Sequence, residues 1–356
     1  MQNEKYKRIV LGIHRIQSFP VSCLNRDDQG TPKSCYIGGT LRSRISSQCL
    51  KRAVRMQMHQ DGMEIAMRTR HAAELVASAC KSEVTDEKMR YITQLVSALN
   101  EPGREDQFFY LVPAEVNALA EHVDGLVSIP ENPKKNIAEE VMKSLAGGRY
   151  QSLSGLDVAL FGRMMWNAPD LDVPAAVSTA HAYTTHTISF QKDYFSAVDD
   201  FVKGRQTARL EDALCTSKTF YLYSGISLDT IEQNLSGAEQ VPAAVAAYLS
   251  ALYEALPVGK QTTYAAHSRW NYARILLLHD QPFLPVFDAP VKADEEGGYV
   301  GPSIKALDDM LDRQKSLDGS WYGEIAEFRY GLDPDYSIDR LVSDLRSAIE
   351  GIGGDV

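Results

Sequence analysis

Apolar and polar positions follow a strand rhythm at the start of the chain, a helical rhythm through the next stretch, and a mixture of the two afterwards. Residues 6–17 (YKRIVLGIHRIQ) are rich in Ile and Val with partial alternation, which predicts a first β-strand. Residues 22–39 are punctuated by Asn25, Asp27, Asp28, Gly30 and Pro32 and read as a loop. Helical spacing then sets in. Leu50, Ala53, Val54 and Met58 make one apolar face of a helix over 47–60, with Ser46 or Ser47 as its N-cap. Gln48, Lys51, Arg52, Arg55 and His59 fall on the other face.

The helical rhythm continues over 64–146 and reads as an insertion. Residues 64–80 form one segment, and Thr85 with Asp86 and Glu87 opens another that runs to Leu99. Pro113 and Pro133 suit the first turns of helices over 113–124 and 133–146, the latter stopping at Gly147-Gly148. After Gly155 the character changes. LDVALFGRM (156–164) and AVSTAHAYTTHTISF (176–190) read as strands, as do 218–227 and 272–280. Short or amphipathic helices are expected at 227–235, 239–256, 302–315 and 335–349, and an exposed loop at 290–300. Strands mixed with a helical insertion predict an α+β fold.

Charge sharpens one part of this picture. The chain has 356 residues and a formal net charge of −10, yet between Gln29 and Gln60 it carries six Lys/Arg and no Asp or Glu. A basic island in an acidic chain is a local electrostatic device. It fits a groove for phosphates better than wholesale coating of nucleic acid, because phosphate contacts depend on local Lys and Arg. Five cysteines, odd in number and never CxxC-spaced, speak against a disulfide framework or a zinc ribbon and fit a reducing cytoplasm. No apolar run approaches the ~20 residues of a membrane helix, and the N-terminus lacks a secretory pattern.

Candidate contacts follow from the island. Free N–H groups and the dipole at the helix start favour phosphate near Ser46 and Ser47. Gln48, Lys51, Arg52 and Arg55 extend donors along the next turns. Arg42 and Arg44 alternate with Leu41 and Ser43, so an extended segment aims both at one groove, with Arg26, Lys33 and the Gly38-Gly39 turn beside it. Arg163 and Met164 follow a predicted strand end, and Met is unbranched enough to wedge between bases. Phe190, Tyr194, Phe195 and Phe201 are aromatics interleaved with charge, suited to stacking on bases. Asp27 and Asp28 are either turn formers or ligands of a Mg²⁺ that would cut RNA. His181 and His186 lack a third ligand at metal-site spacing, and no P-loop, dinucleotide or HExxH signature is present. No cofactor is expected.

The strings SCLNRDD (22–28), IGG (37–39), RISSQCLKRAVR (44–55), LDVALFGRM (156–164), STAHAYTTHTI (178–188), FSAVDD (195–200), EQNLSG (232–237) and GKQTTYAA (259–266) occur in an order that resembles the CasC-type backbone subunit of the type I-E CRISPR Cascade complex. The resemblance spans most of 9–266 and is loose in the last ~90 residues. It implies an RRM-like (ferredoxin-like) palm at 1–60, 151–189 and 218–356, helical fingers at 61–150 and a hairpin-like thumb at 190–217. It implies a cytoplasmic, non-catalytic protein that grips the spacer of a crRNA and stacks with copies of itself into a helical filament. Its further partners would be the target DNA strand paired to the guide and other Cascade subunits, with no membrane. The resemblance also implies basic residues at positions 40 and 41, where this chain has Thr40 and Leu41. Related type III backbone subunits cut target RNA with a loop aspartate, which is the enzymatic alternative for Asp27 and Asp28.

Overall fold

The computed structural model describes residues 5–100, 107–131, 136–143, 154–198, 207–280 and 282–353, and only the backbone over 191–198 and 207–216. The strands are β1 (Ile9–Ser22), β2 (Ser34–Ile37), β3 (Thr40–Ile45), β4 (Met67–Thr69), β5 (Phe109–Leu111), β6 (Val177–Thr179), β7 (Ala182–Thr184), β8 (Gln191–Val198), β9 (Thr207–Ser227), β10 (Tyr272–His279) and β11 (Glu324–Tyr330). The helices are α1 (Ser47–Gln60), α2 (Ala72–Ala79), α3 (Asp86–Ser97), α4 (Pro113–Asp124), α5 (Ile137–Lys143), α6 (Leu156–Phe161), α7 (Leu228–Leu235), α8 (Val241–Glu254), α9 (Gln261–Tyr264), α10 (Val300–Asp318) and α11 (Ile338–Glu350).

The main sheet is antiparallel and runs β11-β10-β1-β9-β7-β3-β2, with β6 and β8 also paired to β9. β1 lies inside it because both neighbours bond along its length, from Ile9↔His279 on one side and Val10↔Ser227 on the other. The strands β1 and β10 are buried along most of their length because both sheet faces are covered. In β10, Ile275 and Leu277 pack with α8 and α11, while Leu276 and Leu278 pack with α10. Successive side chains point to opposite faces, so one strand serves two cores. This α+β arrangement of an antiparallel sheet with covering helices is compatible with an RRM-like palm.

A separate core fills the inserted subdomain. Val76, Ile92, Leu95, Leu119 and Met142 from α2 to α5 meet Met165 and Leu171 there. The long β9 spans two tasks: Thr216 to Ser227 pairs with β1, and Thr207 to Cys215 pairs with β8 as a hairpin. That hairpin falls within residues 190–217. No helix among the described residues is long and apolar enough to cross a membrane.

Three expected elements are different. Residues 156–161 are helical, not a strand: Leu156, Val158, Ala159 and Leu160 are all buried, and a short apolar run carries no period that separates helix from strand. Arg163 and Met164 therefore follow a helix. Residues 34–37, expected in a loop, form a strand that turns back through Gly38 and Gly39, whose φ values of 54° and 73° suit a two-residue type I′ turn. A Cβ on Gly38 would lie 2.0 Å from the Asp288 carbonyl oxygen, so no larger residue fits that turn. Within 64–80, Met67–Thr69 leaves the helical pattern to pair with Phe109–Leu111 as a two-stranded ribbon. The part of the expected 133–146 helix beyond Lys143, with Gly147-Gly148, lies outside the described residues.

Beneath the sheet, His14 is fully buried and its Nδ1 lies 2.9 Å from the Tyr221 hydroxyl. Burial, aided by the charge of Arg274, holds its pKa down at about 3. The unfolded chain binds that proton near pH 6.5 and the folded chain does not, so stability is full above pH 6.5 and is lost as pH falls toward 3. Lowering the pH from 7 to 5 should cost about 2 kcal/mol through this group. Urea unfolding at the two pH values checks it, and His14→Gln should flatten the difference. An equal pH dependence in that variant would mean other groups carry it.

Candidate nucleic-acid interface

Helix α1 is set by local chemistry at its start. The Ser46 Oγ accepts from the Cys49 N–H at 3.4 Å, and the Asn25 side chain accepts from the Ser46 N–H at 2.9 Å. Leu50, Ala53, Val54 and Met58 are buried, so the apolar face is the expected one. The Ser47 hydroxyl turns to the Gln48 side chain. Gln48 and Arg52 stay exposed, while Lys51 and Arg55 are partly buried.

The polar face of α1 is one wall of a groove of about 770 Å³. Gln48, Lys51, Arg52, Arg55 and His59 line that wall. Arg68 and Tyr110 of the β4–β5 ribbon, and Phe108 just before β5, also line the groove. Phe161, Gly162, Arg163 and Met164 close one end. No carboxylate lines it, although the protein is acidic overall. Met164 is 75% exposed and Trp166 58%, while Met165 between them is buried in the inserted core.

The cations of this groove do different work. The Arg55 Nε lies 2.6 Å from the fully buried Asp157 carboxylate, its Nη2 donates to the Ala66 carbonyl, and its guanidinium sits 4.8 Å from the Tyr110 ring centroid. Asp157 also accepts from the Tyr110 hydroxyl at 2.6 Å and the Ala66 N–H at 2.9 Å. Arg163 is buried against Glu115 at 2.7 Å and donates to the carbonyls of Tyr110 and Leu171. These two arginines hold the groove together. Lys51 Nζ donates to the Val177 carbonyl at 3.2 Å, and burial lowers its pKa. Arg52 has no carboxylate partner among the described residues and is free to meet a ligand.

The hairpin before α1 corrects one expectation. Arg42 and Arg44 do not share an open groove. Arg42 is fully buried, and its guanidinium donates to Thr40 Oγ1 at 2.8 Å and to the carbonyls of Thr184, Phe287 and Asp288. It fastens the hairpin where Gly38 also meets Asp288. Thr40 donates its hydroxyl to the Ile37 carbonyl, and the Leu41 carbonyl accepts from the Ile188 N–H. Arg44 is partly buried, 2.9 Å from His181 Nδ1. Arg26 is exposed in a bridge to Pro32, and Lys33 is partly buried. Tyr194 and Phe195 sit on β8, but their side chains, like Phe201, lie outside the described residues.

Asp27 forms the turn of its loop. Its Oδ1 accepts from the N–H groups of Gln29 at 3.1 Å and Thr31 at 2.8 Å. Asp28 is exposed beside it. His186 stacks on Tyr299, and its Nε2 accepts from the Thr219 N–H. Among the described residues no three His, Cys, Asp or Glu side chains are grouped to hold a metal. The ribbon brings Arg68 and Phe108 to the groove, with Arg70 beside Phe108, and the sequence reading does not place them there. The alternating Arg-Thr-Arg of 68–70 was the ribbon's only sequence signal, and the helical reading of 64–80 hid it.

Fold and groove define an α+β protein with a cation-walled, carboxylate-free cleft between its sheet domain and an inserted helical subdomain. Residues 11–330 match the CT1975-like protein family of Cas proteins, and the chain belongs to that family. Its fold is similar to a chain of a "CRISPR RNA-guided surveillance complex, pre-nicking", with 26% identity and a TM-score of 0.79 over 96% of this chain and 100% of that one. A chain of a "CRISPR RNA-guided surveillance complex" shares the fold at 24% identity and a TM-score of 0.70, covering 95% of this chain and 99% of that one. No curated protein matches the chain.

The two kinds of arginine separate by experiment. Arg55→Glu sets a second carboxylate against buried Asp157 and should lower unfolding stability by about 3–5 kcal/mol. Arg52→Glu should change it by less than about 0.5 kcal/mol. Equal urea midpoints for the two variants would show that the Asp157 contact does not carry the fold.

Proposed function

We propose that this chain is a backbone subunit of a type I-E Cascade-like CRISPR surveillance complex, gripping the spacer of a crRNA and presenting it to a complementary DNA strand. The observation that carries this reading is the carboxylate-free groove walled by Lys51, Arg52 and Arg68 in a chain of net charge −10. A single strand held without regard to sequence needs contacts to phosphate and ribose rather than to base edges. Family membership and the likeness to surveillance-complex chains support it. Met164 stands at the end of the groove, where a flexible apolar side chain can enter a base step. Copies stack through two different faces used repeatedly, which yields an open helical array along the guide. Other subunits complete the complex, and it works in the cytoplasm.

The subunit is non-catalytic in this proposal. Asp27 is spent on its own loop, which supports the turn role over that of a metal ligand. Two experiments test the whole. Co-expressed with a CRISPR array, the chain should purify with RNA of one size class that nuclease shortens in regular steps. Nucleic-acid-free monomer under those conditions would refute the backbone role. Incubated with complementary RNA and Mg²⁺, the assembled complex should leave the RNA intact. Cleavage that disappears in Asp27→Ala or Asp28→Ala would establish the RNase alternative.

A further inference from the structure

The β4–β5 ribbon carries a feature that the guide-gripping helix does not explain. The guanidinium carbons of Arg68 and Arg70 lie 4.7 and 4.6 Å from the centroid of one ring, Phe108. Both arginines are exposed, and neither pairs with a carboxylate among the described residues. Phe108 is itself 47% exposed. Two like charges gathered at one solvent-facing ring repel each other, and each cation–π contact returns only modest stabilisation at such a site. By contrast, Arg274 and Arg329 are surrounded by Asp308, Asp312 and Glu327. The pair on the ribbon has no such acids among the described residues, and Arg68 and Phe108 line the groove together with the polar face of α1.

We infer that Arg68 and Arg70, splayed on Phe108, form a second phosphate clamp on the same single strand, in addition to the contacts that α1 makes. This rests on the reading of the groove as a nucleic-acid site. It adds a consequence which that reading lacks. The ribbon pairs only Met67–Thr69 with Phe109–Leu111, and an isolated two-stranded pair of that length is marginal in water. Its Phe109 and Leu111 pack on the inserted helical core, while Ala66 and Tyr110 pack on the sheet core. A strand held by both α1 and the ribbon bridges the two cores. Occupancy thus stiffens the junction between them and docks the helical subdomain.

The test uses the full chain and a fluorescein-labelled single-stranded oligoribonucleotide, with affinity measured against salt. Arg68→Ala with Arg70→Ala should reduce the slope of log K on log salt by about 1.4, two phosphates at about 0.7 each. Arg68→Lys with Arg70→Lys should restore the slope. Phe108→Leu should keep the slope and weaken binding about two- to fivefold, from ~0.5–1 kcal/mol of lost cation–π contact. Hydrogen exchange at the amides of β4 and β5 should slow on binding in the parent and not in the double alanine variant. If Arg52→Glu weakens binding while the double alanine variant matches the parent in slope, the clamp is overturned and the groove stands. If neither variant changes binding, or the parent does not bind, the groove reading falls and the clamp with it.

Discussion

The buried carboxylate of Asp157 is the constraint on which the rest of the cleft depends. It sits in the first turn of α6 and accepts from Arg55 on α1, Tyr110 on β5 and the Ala66 backbone. A carboxyl group so deep is tolerated because its oxygens meet a cation and two neutral donors. The three donors come from three elements, so one side chain sets the distance between helix and ribbon. The Arg163–Glu115 pair repeats the device at the end of the groove, tying the chain after α6 to α4. The frame of the groove is thus held by two ion pairs whose arginines line it and whose carboxylates do not.

Charge is sorted accordingly. Buried arginines (Arg42, Arg163, Arg274) point at carbonyls or carboxylates and hold the architecture. Arg52, Arg68 and Arg70 keep their guanidinium groups on the solvent side of the same framework. Guanidinium suits both tasks, since its fixed fork satisfies several acceptors at once when buried and meets phosphate when exposed. No carboxylate lines the cleft, although the chain is acidic overall.

Much of this was legible residue by residue. The cap at Ser46, the apolar face of α1 and its polar face were all fixed by spacing and by interactions within a few residues, so local reasoning reached them. The motif order points to a CRISPR surveillance-complex protein over most of 9–266, and the match to the CT1975-like family covers 11–330. The miss at 156–161 has a physical cause: six residues buried on nearly every side have no amphipathic period. The miss at 67–69 has another, because a three-residue strand exists only through its partner forty residues away.

The sequence by itself determined that a basic helix would stand in an acidic α+β chain, because periodicity, capping and charge runs are local properties. Which of its arginines are available for a ligand was decided only by tertiary structure. Arg52 and Arg55 lie on the same helix face and look equivalent in sequence, yet one meets solvent and the other meets Asp157, about a hundred positions further along. Arg42 and Arg44 alternate on one strand, yet Arg42 is buried by the carbonyls of 184, 287 and 288. A guanidinium goes to whatever acceptor the fold brings near, and that acceptor is set by long-range packing rather than by its neighbours in the chain.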